Sequence, residues 1–244
     1  MNKSCKFDVI GRCKVPDYWN NDHESKINRL YYIHSGTGGY IKKGERVEYE
    51  HGRLYLLPAF AGIYTYSSLT DKIDHTYASF ELIPPVMTKE VLSIDPHSKP
   101  EIESALGVFI SLCKGKVADR DKQMKEYLAH TVIYLVNRIA EENDSTVLKD
   151  QVLIKALELM HTSINKNLSI SEIAEECNMS LDGFIRKFKA AFSQTPYNYL
   201  KELKLRTALK FRELGYSWDK IAEECGYADQ TSLLHAMNTI RSKK

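Results

Sequence analysis

The sequence predicts an α+β protein of two domains, on three observations. Residues 28–83 contain short segments rich in Tyr, Ile and Val that are separated by Gly and Ser turns, the pattern of antiparallel strands. Residues after 150 form a succession of predicted helices without a strand among them. Between these regions the short polar stretch NDSTVLKD, residues 143–150, is the best candidate for a linker. The predicted domains are therefore residues 1–145 and 146–244.

Composition indicates a folded, cytoplasmic protein. The chain has 244 residues, of which 43% are hydrophobic and 27% charged, close to the values of ordinary globular proteins. No stretch approaches the ~18 apolar residues that a membrane span needs, and the first residues lack the apolar core of a secretory signal. The five cysteines are odd in number, far apart and without a CxxC pair. We therefore expect reduced thiols and neither a disulfide framework nor a zinc site.

The N-terminal domain is predicted to contain closely spaced strands at residues 28–34, 38–43, 45–50, 52–58, 62–68 and 74–83. Such spacing favours an antiparallel sandwich or a small barrel over about residues 1–85. Pro84 and Pro85 end the pattern, and a helical hairpin follows within about residues 100–142, with helices at 101–114 and 120–142. The second of these helices has apolar side chains at three- and four-residue spacing, which indicates one buried face.

The pentamer IAEEC occurs twice, within residues 171–180 and again within 219–228. Before the first copy, Ser169 and Glu172 have the spacing of a capping box, which starts a helix. The copies end at Asn178 and Gly226, and both residue types tolerate a left-handed turn. A new helix is predicted within three residues, with Ser180 and Asp229 as its caps. The sequence therefore predicts two helix-turn-helix units, whose second helix enters the major groove of DNA.

A long helix is predicted between the two units, at residues 196–214. Thr195 is placed to cap it, Pro196 occupies its first position, and Gly215 lies just beyond its end. Such a helix is a rod of roughly 28 Å, and successive major-groove faces recur every ~34 Å. One chain can thus place both recognition helices on the same side of a duplex. Residues 151–244 carry 14 Lys and Arg against 11 Asp and Glu, a small excess that permits DNA binding.

These residues resemble the AraC/XylS-type transcription regulators, through the pattern NLSISEIAEECNMS…FIRKFKAAFSQTPYNYLKELKLRTALKF…GYSWDKIAEECGYADQTSLLHAMN over roughly the last 90 residues. Upstream, LYYIHSGTGGYIKK…HGRLYLLPAFAGIYTYS is similar to the family's cupin-like sensor barrel. The resemblance implies a transcription activator that binds a double-stranded DNA operator. A small-molecule effector in the N-terminal barrel would control it, and a second copy of the chain and RNA polymerase would be its further partners.

The resemblance also assigns DNA-contacting residues. In the first recognition helix these are Ser180, Asp182, Ile185 and Arg186, and in the second Gln230, Thr231, Ser232 and His235. His235 and Asn238 replace the usual Arg and Lys, and the sequence stops at Lys244, before a segment that normally packs behind this helix. We therefore expect weaker binding by the second unit.

Three basic residues of the first recognition helix have separate predicted roles. Arg186 is the best base reader, because a bidentate contact between arginine and guanine discriminates by ~1 to 3 kcal/mol. Lys187 and Lys189 are expected to meet phosphates, each adding ~0.9 to the slope of log affinity against log salt. The alternative interpretation is that these three side chains only form a solvated helix face.

Tyrosines are numerous in residues 28–83, and most are expected to pack within the sheet. An inward-facing minority, together with histidines, is the predicted effector site: Tyr32, His34, Tyr55, Tyr64, Tyr66 and His75. The apolar face of the helix at 120–142 is the predicted dimer contact, comprising Met124, Tyr127, Leu128, Thr131 and Leu135.

No catalytic residue, metal ligand or cofactor is predicted. His34, His51 and His75 lack the spacing of a cupin metal site, and the sequence has no phosphate-binding glycine loop. Two alternatives stay open. One is a cupin-type metal-dependent enzyme with an accessory DNA-binding domain, and the other is a ligand-independent DNA-binding dimer.

Overall fold

The structure, a computed structural model, describes residues 4–16, 27–59, 61–114, 121–145, 148–166, 168–213 and 215–241. The chain divides into two compact units, Met1–Lys149 and Asp150–Lys244. Each unit is described by itself. None of the described helices is both long and apolar enough to cross a membrane.

The first unit is built from two antiparallel sheets. The larger has five strands in the order β1-β7-β2-β5-β8, and the smaller has three in the order β4-β3-β6. The strands are β1 (Ser4–Lys14), β2 (Asn28–Ser35), β3 (Gly38–Lys42), β4 (Glu45–Glu48), β5 (Leu54–Leu57), β6 (Ile63–Ser67), β7 (Asp74–Ile83) and β8 (Leu92–Ile94).

The expectation of a closed barrel is wrong for the part of the chain that the structure describes. Closure requires every strand to have a neighbour on both sides. Here β1 and β8 end the larger sheet, and β4 and β6 end the smaller one. The two sheets are therefore open, and they enclose a shared interior without a strand pairing that joins the described strands of one to those of the other.

The central strands of the five-stranded sheet are buried on both faces, and successive side chains of each strand point to the two faces in turn. One face packs against α1 (Pro100–Leu112) and α2 (Lys122–Glu142), through a core that includes Leu30, Leu54, Leu56, Ala78 and Phe80. The other face, with the smaller sheet, forms a second core around Tyr31, Ile33, Tyr49, Tyr55, Leu57, Ile63 and Ile73. We call this second core the inter-sheet interior.

The second unit is helical. Its helices are α3 (Gln151–Thr162), α4 (Ile170–Glu176), α5 (Leu181–Phe192), α6 (Pro196–Glu213), α7 (Trp218–Glu224) and α8 (Gln230–Arg241), with a 3-10 turn at Ile164–Lys166. Asp150 caps α3 by accepting hydrogen bonds from the backbone amides of Val152 and Leu153. The helix predicted between the repeats is α6, and the Thr195 hydroxyl caps it by accepting from the amide of Asn198.

Candidate nucleic-acid interface

The first helix-turn-helix unit consists of α4 and α5. Ser169 and Glu172 form the predicted capping box: the Ser169 hydroxyl accepts from the Glu172 amide at 3.2 Å, and the Glu172 carboxylate accepts from the Ser169 amide at 2.7 Å. The turn places Asn178 in the left-handed region, with φ of 55°. Ser180 then caps α5 by accepting from the Gly183 amide. Each boundary of this unit is therefore fixed by a local hydrogen bond.

The second unit repeats this geometry in α7 and α8. Ser217 caps α7, and the turn contains Gly226 with φ of 67°. The Tyr227 amide donates to Ala222 O at 2.8 Å, just as the Met179 amide of the first unit donates to Ala174 O at 2.9 Å. Asp229 caps α8 by accepting from the Ser232 amide at 2.7 Å. The repeated pentamer therefore marks two copies of one structural unit.

In both units a small alanine and an adjacent isoleucine hold the positioning helix against its neighbours. Ile173 and Ala174 are buried in α4, and Ile221 and Ala222 are buried in α7. The recognition helices contribute aromatic or aliphatic side chains to the same cores, namely Phe184 and Phe188 from α5 and Leu233 from α8. Each recognition helix thus buries one face and leaves the opposite face for contacts with other molecules.

The exposed face of α5 carries Asp182, Arg186 and Lys189. Neither Arg186 nor Lys189 forms an ion pair among the described residues. Ile185 is half-buried beside this face. Ser180 is exposed, but its hydroxyl already accepts the capping hydrogen bond, so its oxygen has less capacity for an outside donor.

Lys187 differs from the other basic residues of α5. Its side chain is half-buried and its Nζ lies 2.6 Å from a carboxylate oxygen of Asp150, the residue that caps α3. Burial acts to raise the pKa of Asp150, but hydrogen bonds from Lys187 and from the Leu153 amide keep that pKa below its ordinary value. The structure therefore assigns Lys187 to packing between α5 and the start of α3, which weakens the expectation that it meets a phosphate.

The predicted contact residues of the second recognition helix carry no fixed positive charge. Thr231, Ser232, His235 and Asn238 are exposed, while Gln230 is half-buried at the start of the helix. None of these five side chains carries a fixed positive charge. The predicted contacts of α8 are therefore placed where a partner can reach them, without the attraction to phosphate that Arg and Lys supply.

A lysine in α6 connects this helix to the turn of the second helix-turn-helix unit. Lys204 is buried, its Nζ donates to Gly226 O at 3.3 Å, and it lies 5.2 Å from the centre of the Tyr227 ring. Burial lowers the pKa of Lys204 below its ordinary value. Because Gly226 is the left-handed residue of the second turn, this contact fixes the turn against α6. The sequence patterns did not point to this role.

The six predicted effector residues do not form one site. Tyr32 and His34 lie on the face of β2 that packs towards the helices, and the Nε2 atom of His34 is 2.8 Å from the Thr76 hydroxyl. Tyr55 and His75 lie on the opposite face, in the inter-sheet interior.

Tyr64 and Tyr66 alternate along β6 with the buried Ile63 and Thr65, so they lie on the outer face of the smaller sheet. There the Arg46 guanidinium stacks 5.0 Å from the Tyr66 ring centre. The candidate set is thus divided among three surfaces, because strand alternation sends neighbouring residues in opposite directions.

The predicted dimer contact is also divided. Leu128 and Leu135 are 1% and 0% exposed and belong to the core between the sheet and the helices, so they cannot contact a partner chain. Met124 and Tyr127 are 42% and 57% exposed, and Thr131 is half-buried with its hydroxyl donating to Tyr127 O. Only the first half of α2 therefore offers an apolar surface to a second copy.

Among the residues that the structure describes, no group of three or more His, Cys, Asp and Glu side chains has the arrangement of a metal site. The histidines considered for such a site have other neighbours. His34 pairs with Thr76, and the His51 ring bonds to Gly36 O at 2.8 Å.

The paired turns, the capped helices and their exposed faces define two helix-turn-helix units. Known proteins contain the same kind of unit. Residues 160–201 match the model of the family described as bacterial regulatory helix-turn-helix proteins, AraC family. The HTH-type transcriptional regulator AlkR from Acinetobacter baylyi is 28% identical over 123 residues, which is 48% of this chain and 40% of AlkR. Both matches support the resemblance to the AraC/XylS-type regulators that the sequence analysis described.

Solved structures share the two-domain fold. ToxT from Vibrio cholerae superimposes with a TM-score of 0.57 and 13% identity, over 98% of this chain and 93% of ToxT. A structure described as unsaturated fatty acid bound wild-type ToxT gives a TM-score of 0.56 and 13% identity, over 97% of this chain and 88% of that one. At such identity the likeness concerns the fold, a β-rich N-terminal part followed by a helical C-terminal part.

Proposed function

We propose that the chain is a sequence-specific transcription regulator that binds double-stranded DNA through α5 and α8. The observation that carries this proposal is the pair of helix-turn-helix units, each with a buried apolar face and an exposed polar face, joined by one continuous helix. A single unit of this kind occurs in many settings. Two copies in one compact unit suit the binding of two neighbouring stretches of a duplex by a single chain.

The length of α6 supports this reading. Its 18 residues correspond to ~27 Å at ~1.5 Å per residue, and one turn of the duplex measures ~34 Å. Because one continuous helix joins the two units, we expect α6 to set the spacing of the two recognition helices. Among the exposed residues of α5, we assign base reading to Arg186 and phosphate binding to Lys189.

We further propose that the N-terminal compact unit, Met1–Lys149, senses a small-molecule effector. We also propose that the chain activates transcription, with RNA polymerase as a partner. The ToxT structure with a bound unsaturated fatty acid supports an effector, because that protein has the same fold. An effector acts only if it binds one arrangement of the protein better than another. Self-association through Met124 and Tyr127 of α2 is one such arrangement.

The test of the DNA proposal is selection from randomised duplexes, followed by affinity measurement on the selected sequence. The parent should recover two short motifs about 10 base pairs apart. Arg186→Ala should lose preference at one base position by ~1 to 3 kcal/mol while keeping the others. Arg46→Ala, which removes an exposed arginine from β4 of the N-terminal compact unit, serves as the matched control and should behave like the parent. The proposal fails if the parent recovers no motif, or if Arg186→Ala retains the parent's preference at every position.

A further inference from the structure

The inter-sheet interior contains a buried arginine without an acidic partner. Arg29 of β2 is 6% exposed, and its Nη2 donates to Ile63 O at a long 3.4 Å. Its guanidinium lies 5.8 Å from the Tyr31 ring centre. The buried Nε forms no hydrogen bond, and no carboxylate pairs with Arg29 among the residues that the structure describes. A strand position of this kind normally holds an apolar side chain, as at Tyr31 and Ile33 on the same face.

Two further buried polar atoms in the same interior lack a hydrogen-bond partner. They are the Tyr49 hydroxyl and the Thr65 hydroxyl, on residues that are 6% and 2% exposed. Thr65 lies two residues along β6 from Ile63, the residue whose carbonyl Arg29 contacts, and it faces the same side. Two strand residues span ~7 Å, so Thr65 and the guanidinium are close together.

Tyr49 lies near the same guanidinium. Burial raises the pKa of Tyr49 well above its ordinary value, and the positive charge of Arg29 is among the groups that oppose this rise. The Tyr49 ring also lies 6.4 Å from the ring of Tyr31 and 4.8 Å from that of Tyr55. The three side chains that carry unpartnered atoms therefore come from three different strands or loops and lie in one region that also contains the aromatic rings.

The chemistry of these groups selects a class of ligand. A buried charge is costly unless an opposite charge and hydrogen bonds compensate it, and a buried unpaired hydroxyl adds a similar, smaller cost. A carboxylate accepts hydrogen bonds from a guanidinium and from hydroxyl groups at once. One guanidinium with neutral hydroxyls balances a single negative charge, which favours a monoanion over a phosphate dianion. The surrounding tyrosine rings suit an apolar or aromatic body.

We propose that the inter-sheet interior binds a small organic carboxylate, with Arg29, Tyr49 and Thr65 holding its oxygens. This inference rests on the proposed function only where it identifies the ligand as the effector. The binding site itself is inferred from the geometry of the N-terminal compact unit alone.

The first test is a thermal-shift titration of the full chain with benzoate, hexanoate and decanoate, each compared with its neutral primary amide. At about ten times the dissociation constant, a ligand that binds only the folded state should raise Tm by about 3 to 6 °C. We expect at least one acid to do so and its amide not to. Arg29→Met should lose the response, whereas Arg46→Met, with its arginine on the outer sheet face, should keep it. No response to any acid, or equal responses to acid and amide, overturns the proposal.

The second test needs no ligand. If the charge of Arg29 is compensated only by a bound anion, Arg29→Met removes an uncompensated buried charge. The variant should then have a higher Tm than the parent when no ligand is present. A purely structural role for Arg29 predicts a lower Tm, and that result overturns the proposal. Thr65→Val, a nearly isosteric change, should leave this Tm unchanged or higher while weakening acid binding about three- to tenfold. An unchanged acid affinity in Thr65→Val contradicts the assigned geometry.

DNA binding is measured on the same samples by fluorescence anisotropy. Acid binding without sequence-specific DNA binding would refute the regulator and leave the carboxylate site standing. Sequence-specific DNA binding without acid binding would refute only the site.

Discussion

Two lysines of α5 provide a matched pair for testing the DNA interface. Lys187 and Lys189 are two residues apart in one helix and have the same charge. The structure gives them different surroundings, because Lys187 pairs with Asp150 at 2.6 Å and Lys189 is exposed without an ionic partner among the described residues. We predict that Lys189→Ala weakens DNA binding through a lost phosphate contact, whereas Lys187→Ala leaves the phosphate contacts unchanged.

The expected magnitude follows from counterion release. One lost phosphate contact lowers the slope of log affinity against log salt by ~0.9. Over a fourfold change in salt, from 50 to 200 mM, the parent should therefore lose about 3.5 times more affinity than Lys189→Ala. For Lys187→Ala the slope should equal that of the parent. The side chains of Lys187 and Asp150 are 37% and 32% exposed, so this change should lower the free energy of unfolding by less than about 1 kcal/mol.

The measurement is an anisotropy titration of a labelled duplex at 50, 100 and 200 mM KCl, with urea unfolding of each variant as the control for folding. Equal slope changes in the two variants would show that the ion pair with Asp150 does not keep Lys187 from DNA. Unchanged slopes in both would mean that the exposed face of α5 does not meet the phosphate backbone at all.

Two further predictions concern stability. Burial lowers the pKa of His75 from 6.5 to about 4, so the folded state binds fewer protons than the unfolded state between these values and stability falls as the pH drops. From pH 7 to pH 5 the loss should be about 2 kcal/mol, and in urea unfolding His75→Gln should lack this part of the pH dependence; a parallel pH dependence in both proteins would contradict it. Ser169→Ala should cost about 1 kcal/mol through the lost capping box, whereas Ser171→Ala, an exposed neighbour, should change stability little; equal losses would contradict the capping role.

The sequence predicted the elements whose signals are local. The capping box of Ser169 and Glu172, the turn residues Asn178 and Gly226, and the helix boundary at Thr195 all depend on hydrogen bonds within a few residues. β1 and β8 were not predicted, for different reasons. β1 is an edge strand in which only Phe7 and Ile10 are buried, so its alternation is weak, and β8 has only three residues.

The candidate site could be predicted only in part, because side-chain direction depends on distant partners. The alternation of side chains along β2 separates them into two faces. Both faces are buried and apolar, so hydrophobicity alone could not show which of them borders the inter-sheet interior. The sequence does not distinguish Lys187 from Lys189. Only the fold places Asp150, 37 positions earlier in the chain, beside Lys187. Arg29 reads as a solvated strand residue, although Ser79 and Leu57 flank it in the middle of the sheet.

The two recognition helices differ in a way that gives them unequal parts in binding. α5 has Arg186 and Lys189 on its exposed face, while the exposed side chains described in α8, up to Asn238, are hydroxyl, amide and imidazole groups. Charge supplies most of the affinity for DNA of any sequence, and neutral donors and acceptors add discrimination only once the helix is in place. α6 joins the two helix-turn-helix units in one compact body. Binding by α5 therefore brings α8 to the next groove, and α8 needs no attraction of its own to the phosphates to reach it. A second helix whose predicted contact residues lack fixed charge is therefore compatible with two-site binding, as long as Lys204 keeps the Gly226 turn against α6.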